Sequence, residues 1–395
     1  MAVSIRNCLG VDIGSQWIRI AHMEMAKSGP RVLSLIEEEI KATDPSLNEG
    51  QRHQAIGKQI QDLLKAHRIR TRKAVFSVPG QTVFVRQFLL PKASPERMKR
   101  MVNFEARQRV PFPLEKTIME FQLFESDQPN EVNVLLVAIK REFIINFMRL
   151  VRRTGLNPLG ITVSSVALYN FHELNASTRD LSEAGLRKKP VRKKAEKKKT
   201  RPLKKAKKGK KGQPEEVPAE QTEDELLDGI EAGGDIEEVV AAQQGFEEIP
   251  AFVNLGASLM DLAIPKPGAS RMIGFTRSVP LAGNEMDRVV RDRLQLDDIN
   301  KAREIKEREA VVLASDFEFE GDPESVNMEA SEAVTAIADR IISELRRSLD
   351  YYISQPDGVA VDSIVLSGGL ARLGFLPNYI EEKMGVPVTL AEPRH

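Results

Sequence analysis

Leu9-Gly10-Val11-Asp12-Ile13-Gly14-Ser15-Gln16-Trp17-Ile18-Arg19 is the stretch whose reading decides the fold. An apolar run from Val3 to Leu9 leads into Asp12 and Gly14, and a second strand begins at Trp17. A tight hairpin here turns successive backbone N–H groups toward one spot, a concavity suited to an anionic oxygen. Gly14 is free to take φ > 0 and lets a ligand come close to the backbone. Asp12, just before the turn, is placed to orient a hydrated Mg²⁺ through water, because Mg²⁺ keeps several of its waters. A lone Asp-x-Gly also fits a plain surface hairpin, so its weight depends on a matching half further along.

That half lies at Ala251–Leu255, Leu259–Ile264 and Arg271–Arg277, three strands with Asn254-Leu255-Gly256-Ala257-Ser258 at the first turn. Helices are expected from Ala282 and over Asp297–Arg308. A long amphipathic helix follows, with Val334, Ile337, Ile341, Leu345 and Leu349 at three- and four-residue steps. A strand over Ser363–Leu366 ends in Ser367-Gly368-Gly369-Leu370-Ala371. A glycine pair at a strand end suits close approach to a flat ligand such as adenine, and equally an ordinary turn.

Between the two halves, Arg31–Ile40 reads as a third strand, Gln51–His67 as a helix and Lys73–Val78 as a strand, together a β-β-β-α-β unit. His53 and His67 fall on that helix with no further ligands in register and are read as solvated. Pro79-Gly80 interrupts, and a compact block follows: a strand over Thr82–Leu90, a helix from Ser94 to about Arg109, Pro111-Phe112-Pro113, and strands over Thr117–Phe124 and Val132–Ala138. Ser94-Pro95-Glu96 carries a capping hydroxyl, a proline at the first helical position and an acid at the positive end of the dipole. A helix over Phe143–Arg153, a short strand over Leu159–Val163 and a helix over Ser164–Leu174 complete the first half.

The net charge of +1 conceals a divided run. Arg187–Gly212 holds 16 Lys/Arg and one acid, and Gln213–Pro250 holds 13 Asp/Glu and no Lys/Arg. Neither part carries enough apolar surface to offset ordering entropy, so a disordered linker is expected. A basic arm can also touch an anionic membrane or a partner, although the acidic part competes for the same lysines. No aromatic residue interleaves the lysines, which argues against a base-stacking platform and sequence-specific nucleic-acid binding. The single cysteine, Cys8, excludes a disulfide framework and a Cys-ligated zinc and is read as a small core residue. No run approaches the ~20 apolar residues of a membrane span, so the expectation is a soluble intracellular protein.

Paired strand-turn-strand hairpins, a late glycine pair and a linking helix resemble the actin-like ATPase superfamily, and within it the family of the type IV pilus assembly protein PilM, relatives of the division protein FtsA. Gly10–Ser15, Val78-Pro79-Gly80 leading into Arg86, Phe104-Glu105-Ala106 with Val110–Pro113, Asn254–Ala257 and Leu366–Gly369 carry the resemblance, which covers nearly all the chain outside Ser177–Glu248. It implies an α/β, two-domain fold with 1–80 and 139–176 as the first domain and 249–395 as the second. Residues 81–138 would be an inserted partner-docking subdomain, and 177–248 the charged linker. It implies ATP with Mg²⁺ in the interdomain cleft. The first phosphate loop would use Asp12, Gly14, Ser15, Gln16 and Arg19, where the family usually has lysine at the last position. The second would use Asn254, Gly256, Ala257 and Ser258, where Asn254 replaces a usual aspartate. Gly283, Lys306, Gly368, Gly369 and Leu370 would complete the pocket, with Ala302-Arg303 beside adenine and ribose although Arg303 replaces a usual glutamate.

The crossing between domains, Gly155–Asn170, contains no Asp, Glu or Gln to position an attacking oxygen. The resemblance therefore implies nucleotide binding with little turnover. The scaffold would lie in the cytoplasm beside the inner membrane and hold the N-terminal tail of a PilN-like inner-membrane protein, with contacts to other pilus components and possible self-association. The tail is expected along Phe84–Phe88 and the helix around Phe104 and Arg107. Other readings are a sugar- or acetate-type kinase, which would need an acid in the crossing, and an FtsA-like protein, which would need an apolar face at Ala391–His395. A third is the cytoplasmic part of a type II secretion component.

Overall fold

A computed structural model describes residues 7–26, 29–42, 46–126, 128–186, 248–267, 272–313 and 326–391. Of the linker expected over 177–248, residues 177–186 instead continue a helix, and 187–247 lie outside the described residues, as do the last four residues and the start of the first strand.

Two five-stranded sheets share one connectivity. In the first, β1 (Asn7–Ile13), β2 (Trp17–Ala26), β3 (Gly29–Glu39), β4 (Lys73–Val78) and β8 (Asn157–Val163) lie in the order β3-β2-β1-β4-β8. In the second, β9 (Pro250–Leu255), β10 (Met260–Pro265), β11 (Ile273–Val279), β12 (Ser363–Ser367) and β13 (Val388–Leu390) lie in the order β11-β10-β9-β12-β13. Each sheet begins with an antiparallel meander and ends with two parallel strands. The fold is α/β, with two domains of one shared topology.

Helices α1 (Glu49–Ala66) and α3 (Arg141–Thr154) cover the first sheet, and Leu9, Val11, Ile18, Ile20, Ile56, Ile60, Phe76 and Val151 form its core. α1 starts at a full capping box, Asn48 with Gln51. α3 ends at Gly155, whose φ of +70° suits glycine at a helix end. The second sheet packs on α5 (Gly283–Arg293), α6 (Ile299–Arg308), α7 (Met328–Ile353) and α8 (Leu376–Met384), with Val253, Leu262, Ile341, Leu345 and Leu366 in its core. α7 buries the stripe read from the sequence, whereas α8 and β13 carry no signal that the sequence reading used.

A third sheet, β5 (Val83–Pro91), β7 (Glu131–Lys140) and β6 (Thr117–Glu125) in the order β5-β7-β6, packs on α2 (Pro95–Arg109) through Met98, Val102, Ala106, Val134 and Leu136. This is the inserted block. Ser94 precedes α2 as expected, but its hydroxyl makes no capping bond, and the proline and the acid remain as start signals. Cys8 is half-buried rather than a core residue. Its thiol pKa is raised by burial. His53 lies within 3.8 Å of Glu49, and His67 is an exposed cap. Among the described residues no helix is long and apolar enough to cross a membrane.

The crossing helix α4 (Ser164–Leu186) runs past the Leu174 expected from the sequence. Its Tyr169, 2% exposed, meets Phe252, Ala263 and Ile273 of the second sheet in a small cluster of its own. His172 stacks on Phe252 with ring centroids 4.1 Å apart, and its Nε2 is buried without a partner. Burial lowers its pKa to about 4.

Two outcomes are expected. The folded pKa of His172 lies below the unfolded 6.5, so its stabilising share is complete above pH 6.5 and is lost as pH falls through about 4. Urea midpoints at pH 7 and pH 4.5 should therefore differ less for His172→Phe than for the wild type. Gly57 on α1 faces α3 so closely that a Cβ would lie 2.5 Å from Arg153 Cβ and 2.8 Å from its carbonyl oxygen. Gly57→Ala gains about 1 kcal/mol of helix propensity. Overpacking against backbone costs about 1–3 kcal/mol, so a lowered denaturation midpoint is expected.

Candidate functional site

The two glycine turns are built alike. After β1, the amide of Gly14 donates to the carbonyl of Trp17 at 2.9 Å; after β9, the amide of Gly256 donates to the carbonyl of Leu259 at 2.9 Å. Gly14 is not left-handed, contrary to the freedom read from the sequence; closeness is its constraint. A Cβ on either glycine would stand 3.2 Å from the carbonyl its own amide bonds. The amides of Ser15, Gln16, Ala257 and Ser258 have no partner among the described residues. Four such amides on two facing turns form an anion-binding concavity.

The turns face each other. Ser258 Oγ donates to Ser15 Oγ at 2.6 Å, and Asn284 Nδ2 donates to Ser258 Oγ at 2.8 Å. Gln16 Nε2 donates to Asn284 Oδ1 across the same gap. The start of α5 is joined to the second turn, since the Gly283 amide donates to the carbonyl of Gly256 (3.2 Å) and the Asn284 amide to that of Ala257 (2.6 Å). These two amides hold the turn and are not free for a ligand.

Below the turns sits a polar cluster. Asp12 accepts from Ser77 Oγ and lies 3.8 Å from Arg19 Nη1, while Arg19 Nε donates to Glu37 at 2.8 Å. Asp261 on β10 is 4% exposed. It accepts from Ser278 Oγ and, at 3.0 Å, from Ser164 Oγ at the start of α4, whose oxygen accepts the Gly80 amide at 3.2 Å. Burial pushes the Asp261 carboxyl above the usual carboxylate range; the hydroxyls of Ser278 and Ser164 pull the other way, and the charge of Asp12 adds to the rise. The sequence reading missed Asp261. Its signal was an acid inside Met260–Pro265, a strand with every residue buried.

At the far end of the cleft, Asp287, 1% exposed, accepts from Lys306 Nζ at 2.6 Å and from Arg303 Nε at 3.1 Å. Arg303 Nη1 also donates to Glu39 of the first domain at 2.7 Å. The Lys306 ammonium is thus buried on Asp287 instead of standing open to a ligand. Gly368, at φ +91°, abuts the second turn; a Cβ there would fall 2.3 Å from the Leu255 carbonyl oxygen and 2.8 Å from Asn254 Oδ1. Ser367 Oγ lies 3.3 Å from the same Asn254 oxygen. Gly369 is exposed with open space where a Cβ would point, and Leu370 belongs to the second core.

These residues fit a polyphosphate: unpartnered amides lie on both turns and a carboxylate lies below each. Among the described residues no three His, Cys, Asp or Glu gather as a metal cluster. A pair of carboxylates suits a hydrated Mg²⁺ held through water.

Residues 10–188 match the family of the type IV pilus assembly protein PilM. Their match spans the first turn, the inserted block and the crossing helix. A chain of a solved PilM-PilN type IV pilus biogenesis complex is similar over 98% of this chain and 88% of its own, at 18% identity and a TM-score of 0.67, so the second half shares that fold too. More distant are the cytoplasmic domain of EpsL from the Vibrio cholerae type II secretion system and a Bacteroides thetaiotaomicron protein of actin-like ATPase fold and unknown function. The first is 8% identical over 98% of this chain and 87% of its own, with a TM-score of 0.38. The second is 9% identical over 95% and 96%, with a TM-score of 0.34.

Removing one member of a buried charge group leaves its partners uncompensated, at about 3–5 kcal/mol. Asp287→Ala, which strands Lys306 and Arg303, is expected to lower the unfolding free energy measured by urea titration by an amount in that range. Glu39→Gln breaks a half-exposed pair and should cost less than about 1 kcal/mol.

Proposed function

We propose that this chain is an ATP-binding scaffold of type IV pilus assembly that turns nucleotide over slowly. It works in the cytoplasm beside the inner membrane, and the inserted subdomain receives the tail of a PilN-like inner-membrane protein. The observation that carries the reading is the contact between the two glycine turns, Ser258 to Ser15, with unpartnered amides on both sides.

In this reading the amides of Ser15 and Gln16 bind phosphate oxygens from one wall, and those of Ala257 and Ser258 from the other. The hydroxyls of Ser15 and Ser258 and the side-chain amides of Gln16 and Asn284 exchange their contacts at the gap for contacts to the ligand. Asp12 and Asp261 would hold a hydrated Mg²⁺ through water, and the ion would supply positive charge to the phosphates. Gly369 leaves room for a base, and Arg303 stands beside it. Asn254 has no charge and bonds within its own domain near Ser367 and Gly368, in keeping with weak turnover. Docking follows from differential affinity: ATP favours the closed, tail-binding state only to the extent that it binds that state better.

Asp261 favours a second reading, a working ATPase. It is a buried carboxylate of raised proton affinity in the cleft, aimed by two hydroxyls, and suits removal of a proton from water.

A thermal-shift titration with ATP and Mg²⁺, coupled to phosphate release, separates the two. Ligand at about a hundredfold its Kd stabilises a fold by roughly 2.7 kcal/mol, so a clear rise in Tm with little phosphate is expected. Gly369→Asp, which has space to fold, should lose the shift. Brisk phosphate release that Asp261→Asn abolishes would support the ATPase instead, and no shift with any nucleotide would overturn both. Asp261→Asn should not destabilise the free protein at neutral pH. Its raised folded pKa contributes stability that is complete below the unfolded value of about 3.9 and is lost as pH rises through the folded pKa, so none of it remains at neutral pH to lose.

A further inference from the structure

Along the exposed face of α2 stand Arg97, Arg100, Phe104 and Arg107, at steps of three, four and three residues, which places all four on one stripe. Phe104 is 60% exposed. Phe84 and Phe88, which the sequence reading grouped with it, pack against the core of the inserted block instead. The three arginines have no partner among the described residues, while Glu105 beside them is held by Arg109 at 2.8 Å. Like charges at this spacing repel and cost the helix stability. Leu90, Met101 and Phe104 line a groove of about 390 Å³, with Arg97, Arg100 and Glu105 at its rim.

We infer that this face docks an acidic protein segment with a large apolar anchor. The anchor enters between Leu90, Met101 and Phe104, and carboxylates to either side pair with Arg97, Arg100 and Arg107. Guanidinium groups take carboxylates in paired hydrogen bonds, and an exposed aromatic beside arginines is the usual make-up of a docking hot spot. From Arg97 to Arg107 the stripe spans ~15 Å at 1.5 Å per residue, the length of about five extended residues at 3.3 Å each. The groove is what favours a peptide over a lipid surface, because it gives one side chain a place to bury. The inference rests on the reading of the inserted subdomain as a docking module and adds the chemistry of what docks.

The test uses the full chain and two short fluorescein-labelled peptides, one with paired glutamates flanking a central Leu-Trp and one with lysines in their place. Fluorescence anisotropy at low salt is expected to show binding of the glutamate peptide alone. The affinity should fall at least tenfold in Arg97→Ala/Arg100→Ala and in Phe104→Ala. All three side chains are exposed and alanine favours helix, so an unchanged Tm will show that the variants fold. Binding of the lysine peptide as tightly as the glutamate peptide would overturn the acidic chemistry while leaving the docking module standing. Binding of neither peptide, with a PilN-like tail still captured by the chain, would overturn this face as a docking site and leave the proposed function intact. Loss of tail capture as well would sink the docking reading itself. Displacement of the glutamate peptide by phosphatidylglycerol vesicles, but not by phosphatidylcholine vesicles, would assign the face to an anionic membrane and overturn the peptide.

Discussion

A hydroxyl pair, Ser258 to Ser15, joins two turns that each belong to a separate hydrophobic core. Everything that makes the cleft a site depends on those turns meeting. The contacts that close it are few and weakly held: this bond, Gln16 to Asn284, and Arg303 to the half-exposed Glu39. A hydrogen bond contributes about 1 kcal/mol net, and a pair open to solvent contributes no more. Breaking these contacts therefore costs little free energy, within reach of a ligand of modest differential affinity.

The floor of the cleft is held differently. Tyr169 and His172 of the crossing helix are packed on Phe252, and Asp261 ties that helix to the second sheet through Ser164. Gly80, where the chain leaves the first domain for the inserted block, bonds the same serine, and a Cβ there would fall 2.1 Å from Ser278 Oγ. A buried carboxylate, two hydroxyls and a backbone amide thus meet where first domain, inserted block and second domain join. The lips are soft and the hinge is firm.

Much of the fold was legible because hydrophobic period and turn residues repeat in each half. Both meanders, the stripe on α7 and the break at Pro79-Gly80 depend on local pattern alone. The site was less legible. Lys306 reads as an available cation, yet its partner Asp287 is supplied by the packing of α5 on α6. Leu370 sits beside a glycine pair in sequence and inside the core in space. Asp261 gains its meaning from Ser164, 97 residues away, a distance no local pattern spans. The crossing contains no acid of its own, and the one it meets comes from β10.

The central claim is that the two turns share one ligand, and cross-linking tests it most directly. In a protein carrying Ser15→Cys and Ser258→Cys, mild oxidation should join the turns readily; native Cys8 is half-buried with its thiol pKa pushed up and competes slowly. Saturating ATP with Mg²⁺ should slow the cross-link, and a cross-link made first should block ATP binding until it is reduced. Equal cross-linking with and without nucleotide, together with unchanged ATP binding by the oxidised protein, would contradict the account.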